Sequence, residues 1–362
     1  MADGELKPLQ SGPSASAPGE APARQARRII VTAVVSVIVM VCVFAVLFPS
    51  IGSYQQALAE LRAVPVIWAG ALVVAGIANI ALFPLTVLVT IPDLPYRRCF
   101  VESQSGFVIS NTIPGGGAIT VGTQFAILTR YGVRPAVAAA AVSADAIWTY
   151  LLTLSMPTLA LVLLAAEGRS TVGYAGVAAI GAVVVVLSVV IIGLVLRSDS
   201  GAARIGRLAE RVAARALRRR HRDTPPIAGL LVEFRSNAAE LVRTRWGPIT
   251  VANVVTQLTP LVVLLCAAGG LGLVPSPVSL IELFAAYSLA IVLASFPITP
   301  GGLGTVDAAL VGLLVAFGAD TSTAVAADLV WRLVWFLPQV LAGVVTLGVY
   351  LLGKRHSRAA DA

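Results

Sequence analysis

The sequence predicts an all-α, polytopic membrane protein, with six spanning helices plus two re-entrant hairpins arranged as an inverted repeat. Three observations carry that prediction. Of 362 residues, 57% are AVILMFWYC and only 12% are DEKR, against roughly 45–50% and 25% in soluble domains, and the mean hydropathy is +0.89. The apolar residues gather in charge-poor stretches as long as the ~20 residues a bilayer-crossing helix needs. Two further apolar regions are interrupted by Pro-Gly-Gly sequences that a straight helix does not tolerate.

Residues 1–28 are rich in Ala, Pro, Ser and Gly and end in Arg24, Arg27 and Arg28. With too little apolar surface to bury, they read as a disordered cytoplasmic tail. Residues 29–48 carry no charge. They are longer than a signal-peptide core and lack a small-residue cleavage site after them, so they are expected to remain as the first span. The other five expected spans are 64–91, 135–166, 171–196, 246–271 and 321–352. Regions 100–129 and 280–317 are broken by Pro114-Gly115-Gly116-Gly117 and by Pro300-Gly301-Gly302-Leu303-Gly304. The arms beside the first break, about 14 residues each, are shorter than a span, which is the length signature of a re-entrant hairpin. Irregular backbone at membrane depth survives only inside protein or beside a watery cavity.

Charge sets the orientation. If each broken region enters and leaves on one face and the amino terminus is cytoplasmic, 23 of the 26 Lys and Arg residues fall on the cytoplasmic side. Arg62 and Arg169 remain outside and Arg332 lies inside the last span. This is the asymmetry the positive-inside rule demands, and it places a multi-pass protein in a bacterial-type inner membrane with both termini cytoplasmic. The organisation is then a first membrane repeat (29–166), a second (171–352) containing a basic cytoplasmic loop (197–245), and a cytoplasmic tail (353–362). In that loop Arg204, Arg207, Arg211, Arg215, Arg218 and Arg222 share one helical face opposite Ile205, Leu208 and Val212. Such a helix lies in the interface and is drawn to anionic lipid by roughly 1 kcal/mol per basic residue. No aromatic interleaves the run, so nucleic acid is not an expected partner.

The halves repeat weakly. Ile113-Pro114-Gly115-Gly116 matches Thr299-Pro300-Gly301-Gly302 at an offset of 186, and Ala144-Asp145-Ala146-Ile147-Trp148 matches Ala327-Asp328-Leu329-Val330-Trp331 at 183. Three complete crossings between the breaks give the halves opposite orientations. Inverted repeats with discontinuous helices are a transporter architecture.

At Phe296-Pro297-Ile298-Thr299-Pro300-Gly301-Gly302-Leu303-Gly304-Thr305-Val306-Asp307 the chain resembles the lysylphosphatidylglycerol synthase transmembrane family, a flippase-like membrane domain. The family's pattern is a proline, then PGGLG, then an acidic residue, usually Glu and here Asp307. The last span, with Arg332 and Pro338, looks like that family's Arg-containing helix. The resemblance covers roughly 30–352. In the first half Asn111 and Pro114-Gly115 fit loosely, and 118–124 lack the charges that the family carries after the first break. Full-length relatives add an aminoacyl-tRNA-dependent transferase domain. Only ten residues follow Leu352 here, so the membrane domain alone is expected. The resemblance implies translocation of a phospholipid or lipid-linked headgroup between leaflets. The alternative is a non-catalytic membrane scaffold for a lipid-modifying or cell-envelope enzyme.

The residue inventory points away from catalysis. His221 and His356 lie in Arg-rich polar segments, and Lys7 and Lys354 lie near the ends. No His base, metal cluster or P-loop is available within the membrane, and neither a cofactor nor a metal is expected. Cys42, Cys99 and Cys266 read as reduced core residues. Membrane lipids, anionic phospholipid above all, are the expected partners.

Candidate site residues lie at the breaks and inside the spans. Gly301, Gly302 and Gly304, with Gly115, Gly116 and Gly117 as counterparts, let backbone amides approach a lipid phosphate at a helix start. Equally, Asp307 in the first turn after the break caps that helix. Ionisable groups within spans cost at least ~2.5–3.5 kcal/mol and are functional candidates by default. Asp328 and Arg332 stand i,i+4 on one helix and can pair, and Asp145 is the repeat equivalent of Asp328. Arg332 is expected to alternate between Asp328, Asp145 and a lipid phosphate, a freed carboxylate taking a proton, unless the pair is a static bridge. Glu102 and Glu282, at corresponding positions in the two hairpins, are expected at the interface. Asn253 and Gln257 are expected to line a polar path or join helices.

Overall fold

A backbone in hydrocarbon must satisfy its own hydrogen bonds, so the apolar runs become helices. The computed structural model describes residues 64–113, 116–167, 227–295 and 299–360. The expected spans 29–48 and 171–196, the stretch 204–222, the amino-terminal tail and Gly115 lie outside the described residues. Among the described residues there is no strand.

The first described span is α1, Val66–Leu82, continued past Phe83-Pro84 by the short α2, Leu85–Thr90. Next come α3, Tyr96–Thr112, and α4, Gly116–Arg130, on either side of the first break. A long span, α5, Pro135–Ala166, closes the first half. The second half has α6, Ile227–Gly270, then α7, Leu280–Leu293, and α8, Thr305–Ala316, on either side of the second break. It ends with α9, Thr321–Trp331, which runs through a π-turn at Arg332–Phe336 into α10, Leu337–Ala360. Four of these stretches are long and apolar enough to cross a membrane: Val66–Thr90, Pro135–Ala166, Arg243–Gly270 and Thr321–Leu351. They coincide with four of the six expected spans. Two helices outrun expectation: α6 begins at Ile227 inside the expected loop, and α10 continues to Ala360. A helix needs no membrane beyond its apolar stretch, and the Glu, Arg and Lys there are good helix formers.

Side-chain contacts fix the helix directions. From Trp148 Nε1 to Thr250 Oγ1 (2.8 Å), Thr149 Oγ1 to Asn253 Oδ1 (3.2 Å) and Gln257 Nε2 to Thr153 Oγ1 (2.9 Å), both helices advance together, so α5 and α6 are parallel. Trp68 packs on Gly269 and Gly270 while Thr259 donates to Asn79, so α1 runs antiparallel to α6. In α6, Pro260 cannot donate to the preceding turn. The Thr259 and Tyr287 hydroxyls donate instead to the carbonyls of Thr256 and Gln257, at 3.0 and 2.9 Å.

The two broken regions form antiparallel helix pairs. Arg98 Nη1 donates to the Tyr131 carbonyl (3.3 Å), Thr120 Oγ1 to that of Gly106 (3.4 Å), and Gly116 lies directly against the Ile109 carbonyl, where a Cβ has no room. At 17 and 15 residues, α3 and α4 are about 25 and 22 Å long, short of a ~30 Å hydrocarbon core. In the second pair Gly318 lies near Pro277 at one end and Gly302 near Ala294 at the other. The first pair has its ends beside the start of α5, where Cys99 and Leu128 pack with Ala138 and Ala141. The second has its ends beside the other terminus of α5, where Leu161 and Leu164 pack with Ala285, Ile281 and Phe317. The pairs therefore point toward each other from opposite ends of a 32-residue helix. Their tips meet: α3 contacts the turn Pro300–Gly302, and Phe107 stacks edge-on against Trp335 and Phe336, with ring centroids 6.2 and 5.8 Å apart.

Candidate functional site

Each tip carries its own polar constellation. At the second, Gly301, Gly302 and Gly304 have φ of 61°, 66° and 81°, a left-handed region that glycine enters without strain. The turn they make aims the start of α8 at the last span. There Asp307 Oδ2 accepts from the Gly304 amide (2.6 Å) and Asp307 Oδ1 binds Arg332 Nε (2.5 Å). Arg332 Nη1 donates to the Gly301 carbonyl (3.3 Å). The guanidinium lies over the rings of Trp331, Trp335 and Phe336, 5.1, 5.6 and 5.3 Å from their centroids. Trp331 is fixed in turn by its Nε1 bond to the Pro260 carbonyl (2.8 Å) and by stacking on Trp335 at 5.0 Å.

The partner of Arg332 is thus Asp307, 25 residues earlier, and not Asp328 at i,i+4. Asp328 is fully buried, neither of its oxygens has a hydrogen-bond partner, and Arg332 Nη2 has none either. The charged neighbours of Asp328 are Asp307 and Arg332. The cap expected of Asp307 is present, on the Gly304 amide. The amides of Gly302, Leu303 and Gly304 donate to Thr299, Pro300 and Asp307.

Asp145 stands elsewhere. It lines a cavity together with Thr86, whereas Arg332 is bound to Asp307, so the expected exchange of Arg332 between Asp328 and Asp145 has no support in the geometry. Glu102, expected at the interface, is 1% exposed. Ser103 Oγ donates to it (3.1 Å), and the Gln124 side chain of α4 packs against Gly106 one turn further on. Glu282 differs in role: it closes a capping box with Ser279 at the start of α7, accepting from the Ser279 amide at 2.8 Å. Sequence reasoning missed Glu102. The signal was the run Glu102-Ser103-Gln104-Ser105-Gly106, too polar to face lipid and therefore enclosed by other helices.

Beside Asp145 the helices enclose a cavity of about 420 Å³. Thr86, Asn111, Gln124 and Asp145 line it on one part and Phe83, Phe107, Val121 and Tyr150 on another, and among the described residues no Lys, Arg or His lines it. Its wall toward the second tip is Phe107. Val121 of α4 and Tyr150 of α5 also line it while remaining 44% and 55% exposed, so among the described residues its mouth opens sideways between those helices. Asn253 and Gln257 join α5 to α6, and Gln257 lines the cavity as well.

In comparisons with known proteins, the model of the family described as Lysylphosphatidylglycerol synthase TM region matches residues 28–343. That similarity marks a membrane protein related to lipid modification or transport. No curated protein matches the chain.

Proposed function

Because the chain belongs to the lysylphosphatidylglycerol synthase transmembrane family, we propose that it translocates a phospholipid or lipid-linked headgroup between leaflets, without a catalytic step. The observation that carries this reading is the cavity of about 420 Å³. A chamber lined by polar side chains beside Phe83, Phe107 and Tyr150, open sideways among the described residues, admits a headgroup while the acyl chains stay in the bilayer. Its volume falls in the ~300–1,000 Å³ range of ligand sites.

The reading includes two re-entrant hairpins, α3–α4 and α7–α8, in an inverted repeat of six spans. Exchanging the halves converts the packing of α3 on α10 into that of α7 on α5, and both pairs are in contact. The same exchange maps the α1–α6 contact onto itself, as an axis through that contact requires. The ends of the first pair carry the exposed Arg97, Arg98, Arg130 and Arg134, which supports a cytoplasmic entry for it and an external entry for the second. Both termini are then cytoplasmic. Where the tips meet, the Asp307–Arg332 bridge and the ring of Phe107 against Phe336 close the passage. Translocation requires them to part, and the unpartnered Asp328, one turn before Arg332, offers the guanidinium a second carboxylate when they do.

The test is reconstitution of the full chain in vesicles with leaflet-specific fluorescent lipid reporters. Wild-type protein equilibrates the reporter across the bilayer, and Arg332→Ala loses most of that rate. A reporter whose distribution the protein leaves unchanged, or whose mass it alters, overturns the reading.

A further inference from the structure

What suits the chamber follows from which of its hydrogen-bonding groups the protein already uses, and the inference rests on the translocation reading above. Thr149 Oγ1 donates to Asn253 Oδ1 (3.2 Å), Thr120 Oγ1 to the Gly106 carbonyl (3.4 Å) and Ser103 Oγ to Glu102 (3.1 Å). Asn111 Nδ2 donates to the Phe107 carbonyl (2.9 Å), and Gln257 Nε2 serves both Thr153 Oγ1 (2.9 Å) and the Thr149 carbonyl (3.3 Å). A hydroxyl that has given its one proton keeps its lone pairs, and an amide keeps its carbonyl oxygen. Together with the Asp145 carboxyl, these lining residues offer a ligand mainly acceptors. Two other features narrow the choice. Among the described residues no Lys, Arg or His lines the chamber, so a phosphate brought into it finds no counter-charge and, being an acceptor itself, makes no use of the acceptors there. Phe83 and Phe107 line the same space and meet at 87°, their centroids 5.5 Å apart. They make an apolar corner, to which Tyr150 adds a third ring near the mouth.

We infer that the chamber takes an uncharged, polyhydroxylated headgroup: a sugar ring carried on a lipid. A pyranose has hydroxyls around its edge, each with a proton to donate, and C–H groups on its faces, which pack on aromatic rings. It matches both parts of the lining at once, the oxygens on one side and the Phe83–Phe107 corner on the other, as ligand sites combine apolar walls with a few placed polar groups. It needs no counter-charge. A small charged headgroup leaves the corner uncovered. Asp145, with two acceptor oxygens, takes two neighbouring hydroxyls and discriminates most, because a site built to bind hydroxyls rejects a ligand that lacks them and strands its polar groups. Anionic lipid is drawn instead to the exposed Arg97, Arg98, Arg130 and Arg134 at the ends of the first pair, which do not line the chamber.

The test titrates the full chain, in a sugar-free detergent, with glucosyl dioctanoylglycerol and with dioctanoyl phosphatidylethanolamine, phosphatidylcholine and phosphatidylglycerol. Wild-type protein binds the glucosyl lipid about tenfold or more tightly than the three phospholipids. Asp145→Ala brings the four within about twofold of one another. Phe83→Leu, which keeps an apolar side chain but removes the ring, weakens the glucosyl lipid about threefold or more and leaves the phospholipids within about twofold of their wild-type binding. Equal binding of the four by the wild-type chain, or tighter binding of any phospholipid, overturns the inference without any variant. A tenfold preference that survives in Asp145→Ala overturns it as well. Free methyl glucoside separates the sources of the sugar: displacement of the lipid by the free sugar at equal concentration overturns the lipid assignment. Glucosyl preference in a protein that moves no lipid defeats the translocation reading and leaves the site. Transport without any preference defeats the site and leaves translocation.

Discussion

Arg332 Nε and Asp307 Oδ1 lie 2.5 Å apart across two helices, with the side chains 2% and 6% exposed. This bridge ties the α8 arm of the second pair to the last span, and Asp307 at the same time holds the Gly304 amide of the glycine turn. A buried pair of this kind contributes little net stability, but removing one partner strands the other charge. Asp307→Ala is therefore expected to destabilise by about 3–5 kcal/mol, seen as a lowered thermal unfolding midpoint in detergent. Asp307→Leu combined with Arg332→Met removes both charges and is expected to lose less. A double variant that falls further than the single one contradicts the stranded-charge explanation.

The turn itself is sensitive to single atoms. A Cβ at Gly301 meets Phe336 Cζ at 2.6 Å and the Asn111 carbonyl at 3.1 Å, at a φ of 61°. Gly301→Ala is expected to cost about 1–3 kcal/mol for the backbone alone, and more for the displaced ring. A Cβ at Gly312, within α8, meets nothing within 4 Å, so Gly312→Ala is expected to stabilise by about 0.5–1 kcal/mol. Parallel thermal unfolding of the two variants checks the contrast, and equal midpoints contradict it.

Where α5 and α6 run side by side, Trp148, Thr149 and Thr153 meet Thr250, Asn253 and Gln257. Interhelical hydrogen bonds in membranes are worth about 0.6 kcal/mol on average and at most ~1.7. Gln257→Leu is expected to fall within that range. Thr153→Val added to it is expected to cost almost nothing further, because the two share one bond. Additive losses in a double-mutant cycle contradict that pairing.

Much of this was legible in the sequence because lipid imposes a one-dimensional rule. An apolar run long enough to span becomes a helix, and Pro-Gly-Gly interrupts one, so 66–90, 135–166 and both breaks stand where the sequence puts them. Side-chain partnership is three-dimensional and less legible. Spacing pairs Arg332 with Asp328, yet the π-turn from Arg332 to Phe336 and the fold-back at Gly301 bring Asp307 to it instead. The repeat sets Asp145 against Asp328, but the two differ in surroundings: Asp145 lines a cavity with Thr86, and Asp328 has Asp307 and Arg332 as neighbours. Glu102 escapes a reading by position because its polar flanks make sense only once α4 and α10 are seen to cover α3.

Translocation as proposed depends on two helix pairs that enter the membrane from opposite faces. Arg134 and Ser276 are exposed residues at the ends of the first and second pair. With the native cysteines replaced, Arg134→Cys and Ser276→Cys are each treated in intact cells and in inverted membrane vesicles with a membrane-impermeant maleimide. Opposite entry predicts that position 276 labels in cells and position 134 only in inverted vesicles. Labelling of both positions from the same face contradicts it.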